Sequence, residues 1–157
     1  MTHEVPAVTL RQHLLADHRK VESLLEELLV AFQASDRTLT ERLWNEFETR
    51  LEAHLEAEET TLIPALEKRA PRDARTLIEE HRHIRRRMLE LGTALDLHLA
   101  RFEMARFFVE ELKAHASHED ELLYQWADQE LSVAERQSFL SRMVNAILSR
   151  LPAAALI

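Results

Sequence analysis

Residues 47–62 read Phe-Glu-Thr-Arg-Leu-Glu-Ala-His-Leu-Glu-Ala-Glu-Glu-Thr-Thr-Leu, and this stretch decides the fold. Its apolar residues recur at steps of three and four, which is the spacing of the inward face of a helix. His54 and Glu58 stand on that face at positions where apolar residues are due. The stretch therefore predicts a core-facing helix that carries two titratable groups into the interior.

The same interrupted pattern occurs in three further stretches, so six titratable groups are predicted to point inward. They are His18, His54, Glu58, His81, His115 and Glu119. Burial of an unpaired carboxylate costs several kcal/mol or changes its protonation state. A small bundle would not tolerate six such groups unless something neutralised them, and a metal cluster would do so.

The composition predicts an all-α protein, because the 157 residues include one glycine and four prolines and are rich in Leu, Ala, Glu and Arg. The helical patterns cover about residues 9–34, 39–69, 72–97 and 102–129, and a fifth covers 132–150 after a capping box that starts at Ser132. Short connections imply an up-down-up-down four-helix bundle with an additional C-terminal helix. We expect one domain over residues 1–157, with the bundle at about 9–130.

Two copies of His-x-x-x-Glu start at His54 and His115, and an offset of 61 residues relates them. Residues four apart on a helix share a face, so each imidazole can bind one metal ion while the carboxylate reaches between two. Each ion would receive two histidines, both carboxylates and a solvent bridge, with one position left open for a small ligand. Nitrogen and carboxylate ligands without sulfur favour iron, with manganese or zinc as alternatives. His18-x-x-x-Glu22 is interpreted as a coincidence.

Charge and cysteine content exclude several other functions. The net charge of −8 argues against nucleic-acid binding, which requires a basic surface. Without cysteine the chain has no thiolate metal site and no iron–sulfur ligand. The start of the sequence does not resemble a secretion signal, and no stretch has the apolar length of a membrane span. We therefore expect a cytoplasmic protein with no membrane partner.

At these residues the sequence resembles the hemerythrin-like, or HHE cation-binding, family over about residues 10–130. The resemblance rests on the order His, His-x-x-x-Glu, His, His-x-x-x-Glu, and on the segment from His54 to Pro64. It implies a four-helix bundle with two non-heme iron ions bridged by carboxylates and by a hydroxo or oxo group. The implied ligands are His18, His54, Glu58, His81, His115 and Glu119. Leu77 and Arg85 stand where oxygen-carrying hemerythrins have a fifth histidine, so the chain is similar to the four-histidine variant, which includes proteins of nitrosative stress and iron–sulfur repair.

These observations leave several functions open, and turnover is undecided among them. The first is a di-iron protein that binds, senses or reduces oxygen, peroxide or nitric oxide. The alternatives are an iron store or donor for stress response or iron–sulfur repair, a non-catalytic ligand sensor, and a metal-free interaction protein. Tyr124 is expected to pack and to hydrogen-bond a partner, with a ligand role as the lesser alternative, and His118 is either a partner of the ligands or an extra ligand. The last helix either covers the bundle or forms a homodimer.

Overall fold

The computed structural model of the protein describes residues 8–151, which form helices and no strand. The helices are α1 (Leu10–Gln33), α2 (Arg37–Thr60), α3 (Leu62–Glu67), α4 (Pro71–Asp96), α5 (Phe102–Glu119), a π-helical turn (Asp120–Tyr124), α6 (Gln125–Glu130) and α7 (Val133–Arg150). Contacts join α1 to α2, α2 to α4, α4 to α5 and α5 to α1, which closes a ring of four long helices. The predicted all-α four-helix bundle is confirmed, and the assignment of the whole chain to one domain stays a prediction.

The second long helix does not run to residue 69 as the sequence predicted. It ends at Thr60, and α3 begins at Leu62 after Thr61 leaves the helical conformation (φ −123°, ψ −77°). Pro64 explains the break, because its ring clashes with the carbonyl four residues earlier and it has no N–H to donate. The helix axis is therefore interrupted directly after Glu58 and Glu59.

The fourth long helix is also interrupted, which the sequence did not predict. A π-helical turn over Asp120–Tyr124 separates α5 from α6, and the N–H of Gln125 donates to the carbonyl of Asp120, five residues back. Such single turns arise where one extra residue is accommodated in an α-helix, and they are frequent at functional sites. This one follows Glu119 directly.

Two apolar clusters fill the bundle, one on each side of a polar layer. The first includes Leu25, Leu28, Phe47, Met88 and Phe108. The second includes Leu14, Leu62, Leu77, Leu123 and Met143. On α1 and α4, and along α5 with the π-helical turn that follows it, the two clusters are separated by the position of a predicted site residue. On α2 they meet around His54, where Ala53 belongs to the second cluster and Leu55 to the first.

The C-terminal helix α7 packs on the bundle. Met143 and Ile147 are buried, and the hydroxyl of Thr61 donates to the sulfur of Met143 at 2.7 Å. The capping box predicted at Ser132 is present, since its side chain accepts the N–H of Glu135. Part of the apolar stripe of α7 is thus used within the chain, and a homodimer through this helix stays a prediction.

Candidate metal centre

The structure brings all six predicted site residues together in the layer between the apolar clusters. Glu58, His81 and Glu119 have no exposed surface, and none of the other three is more than 8% exposed. Each long helix supplies at least one of them: His18 from α1, His54 and Glu58 from α2, His81 from α4, and His115 and Glu119 from α5. The helical spacing of the sequence accounts for this, because each group occupies an inward position of its helix.

The four histidines form two pairs. Nε2 of His18 lies 2.7 Å from Nε2 of His54, and the two rings are 4.5 Å apart between centroids. The rings of His81 and His115 are 5.0 Å apart. Each pair joins neighbouring helices, α1 with α2 and α4 with α5.

Glu119 contacts both pairs through different oxygens. Oε2 lies 3.0 Å from Nε2 of His18, whereas Oε1 lies 2.7 Å from Nε2 of His81 and 2.8 Å from Nε2 of His115. Glu58 is placed in the same way, with Oε1 3.1 Å from Nε2 of His54 and Oε2 3.5 Å from Nε2 of His81. Two carboxylates therefore join two histidine pairs in a buried cluster that could hold metal.

Three histidines are oriented by a carboxylate from the preceding helix of the ring. The Nδ1 atoms of His54 and His81 donate to Asp17 at 2.6 Å and to Glu59 at 2.9 Å. The Nδ1 atom of His115 donates to Glu80 at 2.7 Å. Such bonds fix the tautomer and leave Nε2 free to bind a metal ion.

These three carboxylates were not predicted from the sequence, although the positions of two of them next to histidines were visible there. Asp17 directly precedes His18, and Glu80 directly precedes His81, so an acidic residue stands immediately before the histidine on both α1 and α4. A residue beside one ligand faces the neighbouring helix rather than the centre of the bundle. The acid could therefore have been assigned to the next histidine around the ring.

Each of these carboxylates has a further side-chain partner, which is an arginine for two of them and a histidine for the third. Nη1 of Arg50 lies 3.4 Å from Asp17, and Nη1 of Arg85 donates to Glu59 at 2.6 Å. His118 donates to Glu80, so it is a partner of a carboxylate in this structure.

His18 is the exception among the four histidines. Its Nδ1 is buried and has no hydrogen-bond partner. Its imidazole is therefore the least restrained of the four.

The pKa values show how the layer balances its charge in the absence of metal. Burial lowers the pKa of His81, but hydrogen bonds with Glu119 and Glu58 outweigh burial and raise it to about 11. Burial also lowers the pKa of His115, and the Glu119 carboxylate raises it to about 9. Burial raises the pKa of Glu119, but His115 and the other histidines around it lower it well below its usual value. Protonated His81 and His115 thus neutralise the Glu119 carboxylate, and metal binding would have to displace those protons.

Tyr124 is the one further side chain whose polar atom lies inside the layer, among the residues that the structure describes. Its hydroxyl donates to Oε1 of Glu58 at 2.5 Å and lies 2.8 Å from Nε2 of His18 and 3.1 Å from Oε2 of Glu119. Burial raises the pKa of Tyr124, and the two carboxylates raise it further, so the phenol is protonated without metal. The expectation that the ring packs and the hydroxyl finds a partner is confirmed.

The residues of the layer fit a pair of metal ions. Oε2 of Glu58 and Nε2 of His115 are buried and form no hydrogen bond of good geometry, although Nε2 of His81 lies 3.5 Å from the first and Oε1 of Glu119 lies 2.8 Å from the second. The protein alone therefore satisfies both atoms poorly. The donor atoms form two groups, and within each group they lie within 4.8 Å of one another. The first group is His18, His54, Glu58 and Glu119, and the second is His81, His115 and Glu119. Imidazole and carboxylate donors are suited to iron, manganese and zinc.

A cleft of about 910 Å³ between α4 and α5 reaches the layer from outside. His115, Glu80, His118 and Arg75 are among the residues that line it. The cleft therefore reaches one residue of the layer, His115.

His83 and the arginines near it on α4 lie outside the layer. His83 lies 3.1 Å from Glu111, and Arg87 pairs with Glu90. None of the helices within residues 8–151 has the length and hydropathy required to span a bilayer.

Comparison with known proteins agrees with this geometry. The family model described as the hemerythrin HHE cation binding domain matches residues 9–127, which include the six residues of the layer. Neither the curated proteins nor the solved structures contain a match to the chain. Because the family match covers most of the chain and the buried histidines and glutamates could hold cations, the chain belongs to the hemerythrin HHE cation-binding family.

Proposed function

We propose that the chain is a non-heme di-iron protein that binds, senses or reduces a small oxidant such as oxygen, peroxide or nitric oxide. The observation that carries the proposal is that Glu58 and Glu119 each direct one oxygen to each histidine pair. In this proposal His18 and His54 hold one ion, His81 and His115 hold the other, and the two carboxylates bridge them. Two iron ions would supply redox chemistry and an open coordination position for a small ligand.

The surrounding residues would orient the ligands and limit the access of water. Asp17, Glu59 and Glu80 keep three imidazoles with Nε2 inward. The apolar clusters close both ends of the layer, so the cleft between α4 and α5 supports entry of a small ligand beside His115.

An iron store or donor is the second candidate. It is favoured by His18, whose Nδ1 lacks the hydrogen bond that restrains each of the other three imidazoles. A ligand without that support binds its metal ion more weakly. One of the two ions would then be released more readily than the other.

The test is the metal content and visible spectrum of protein expressed with iron, recorded after reduction and again after exposure to air. We expect about two irons per chain, as in two-metal carboxylate sites, and charge-transfer bands that change on exposure to air. Glu119→Ala should lose most of the iron, whereas Glu22→Ala, which removes an acid from the coincidental motif on α1, should retain it. Absence of iron, or one ion of another metal per chain, would refute the di-iron proposal.

The same preparation separates the functions. Consumption of peroxide or nitric oxide would identify turnover. Ligand-dependent spectral change without turnover would identify a sensor. Rapid transfer of iron to a mild chelator and then to an acceptor would identify a store or donor.

A further inference from the structure

Tyr124 lies on one side of the polar layer. Its side chain is only 1% exposed, and its hydroxyl lies 2.5–3.1 Å from Oε1 of Glu58, Nε2 of His18 and Oε2 of Glu119. All three are atoms that face the His18 and His54 pair. The other oxygens of the two glutamates face His81, so the phenol adjoins one of the two cation positions and not the other.

The π-helical turn accounts for this placement. An α-helix rotates by about 100° per residue, so Tyr124, five residues after Glu119, would point about 140° away from it. The extra residue of the π-helical turn over Asp120–Tyr124 takes up about one such step and reduces this difference to about 40°. Glu119 and Tyr124 therefore both face the interior of the layer.

The distances are those between donors to a single ion. Neighbouring ligand atoms of a six-coordinate ion with bonds of about 2.1 Å lie about 3 Å apart. The phenol oxygen meets this condition for one atom each of Glu58, His18 and Glu119. Tyrosine oxygen is an established iron ligand, as in catalase.

We propose that Tyr124 is an additional metal ligand at the position bounded by His18 and His54, so that the two metal positions are chemically unlike. The inference rests on the proposed di-metal function. On coordination the phenol O–H bond breaks, the oxygen–metal bond forms and the proton passes to the solvent, with no transfer of electrons. The extra oxygen donor gives this metal position a harder ligand set than the other position has, and hard oxygen ligands favour a ferric ion.

The chain has one tyrosine, which makes the test specific. Iron-loaded, oxidised protein should show a phenolate-to-iron(III) charge-transfer band in the visible, and excitation into it should enhance phenolate ring vibrations in the Raman spectrum. Tyr124→Phe should keep its helical content and two irons, and should lose the band completely. Trp126→Phe, an aromatic substitution two residues away, should keep it.

The outcomes separate this inference from the proposed function. Two irons per chain without phenolate vibrations would overturn the ligand role of Tyr124 and leave the di-iron proposal standing, with the hydroxyl as a hydrogen-bond donor to the carboxylates. Absence of bound metal would overturn both. If Tyr124→Phe does not fold, protein grown with ring-deuterated tyrosine decides the question, because the enhanced vibrations must shift if they belong to Tyr124.

Discussion

Substitution of Asp17 by Asn tests whether the carboxylates outside the layer support metal binding. Asp17 accepts a hydrogen bond of 2.6 Å from Nδ1 of His54, and its side chain is only 9% exposed. Asn has nearly the same shape and keeps an acceptor oxygen. The substitution therefore removes the negative charge behind His54 with little change in packing.

The expected effect follows from the burial and length of that hydrogen bond. Loss of a partner behind a metal-bound histidine weakens metal binding by about 10- to 100-fold. At about 1.4 kcal/mol per factor of ten, this is about 1.4 to 2.8 kcal/mol. Hydrogen bonds to charged groups contribute about 1.5 to 3 kcal/mol, which gives the same range independently.

The assay is competition with a chromophoric chelator, which yields the affinity of each metal position. Glu22→Gln is the matched control, because it removes the same charge from the same helix at a residue for which no hydrogen bond is seen in the described part of the chain. Asp17→Asn should weaken one of two binding steps, whereas Glu22→Gln should leave both unchanged within about a factor of two. Equal affinities for the two variants would refute the orienting role of Asp17.

Three further predictions concern pH, packing and the last helix. The raised pKa of His81, about 11 against 6.5 in the unfolded chain, stabilises the metal-free fold fully below about pH 6.5, and this contribution is lost as pH rises towards 11. The melting temperature of metal-free protein should therefore fall as pH rises over that window, while metal affinity should rise because fewer protons compete for the ligands. A melting temperature and a metal affinity that change in the same direction would contradict this account. Gly92→Ala should destabilise the protein by about 1 to 3 kcal/mol in urea unfolding, despite a gain of about 1 kcal/mol in helix propensity, because the new Cβ would lie 2.9 Å from the ring of Trp44; a stabilised variant would show that the ring moves freely. Met143→Ala should cost about 2 to 5 kcal/mol in the same measurement, whereas Leu148→Ala, 44% exposed, should cost less than about 0.5 kcal/mol; similar losses would show that α7 is not docked as described.

The fold and the height of the layer could be predicted from the sequence because both depend on one periodic pattern. An apolar stripe with a step of three or four fixes which side of each helix is buried. His18, His54, His81 and His115 interrupt those stripes and are therefore placed in the core by their neighbours. The ligand roles of the six residues remain a prediction, since burial and proximity do not identify an ion.

The features that could not be predicted depend on contacts between helices or on local backbone geometry. Pro64 belongs to the family signature, yet its effect is a break three residues earlier, at Thr61, which periodicity does not reveal. The π-helical turn accommodates one extra residue in the helix. The sequence does not mark that residue, and it is recognised only from the structure, where Glu119 and Tyr124 both face the layer. The partners of the imidazoles come from neighbouring helices, so their assignment requires the order of helices around the ring.

That order has a consequence for which edge of the bundle would respond to metal binding. A hydrogen bond between a carboxylate and an imidazole joins α1 to α2, α2 to α4 and α4 to α5 at the level of the layer. Between α5 and α1 no carboxylate supports Nδ1 of His18. The layer is joined there through Nε2 of His18, which lies 3.0 Å from Oε2 of Glu119 and 2.8 Å from the hydroxyl of Tyr124. In the proposed site, metal binding at Nε2 would leave the three Nδ1 hydrogen bonds in place, whereas it would replace the contacts of His18. Three edges of the bundle are thus joined independently of any ion, and the fourth is joined by the same atoms that would hold one.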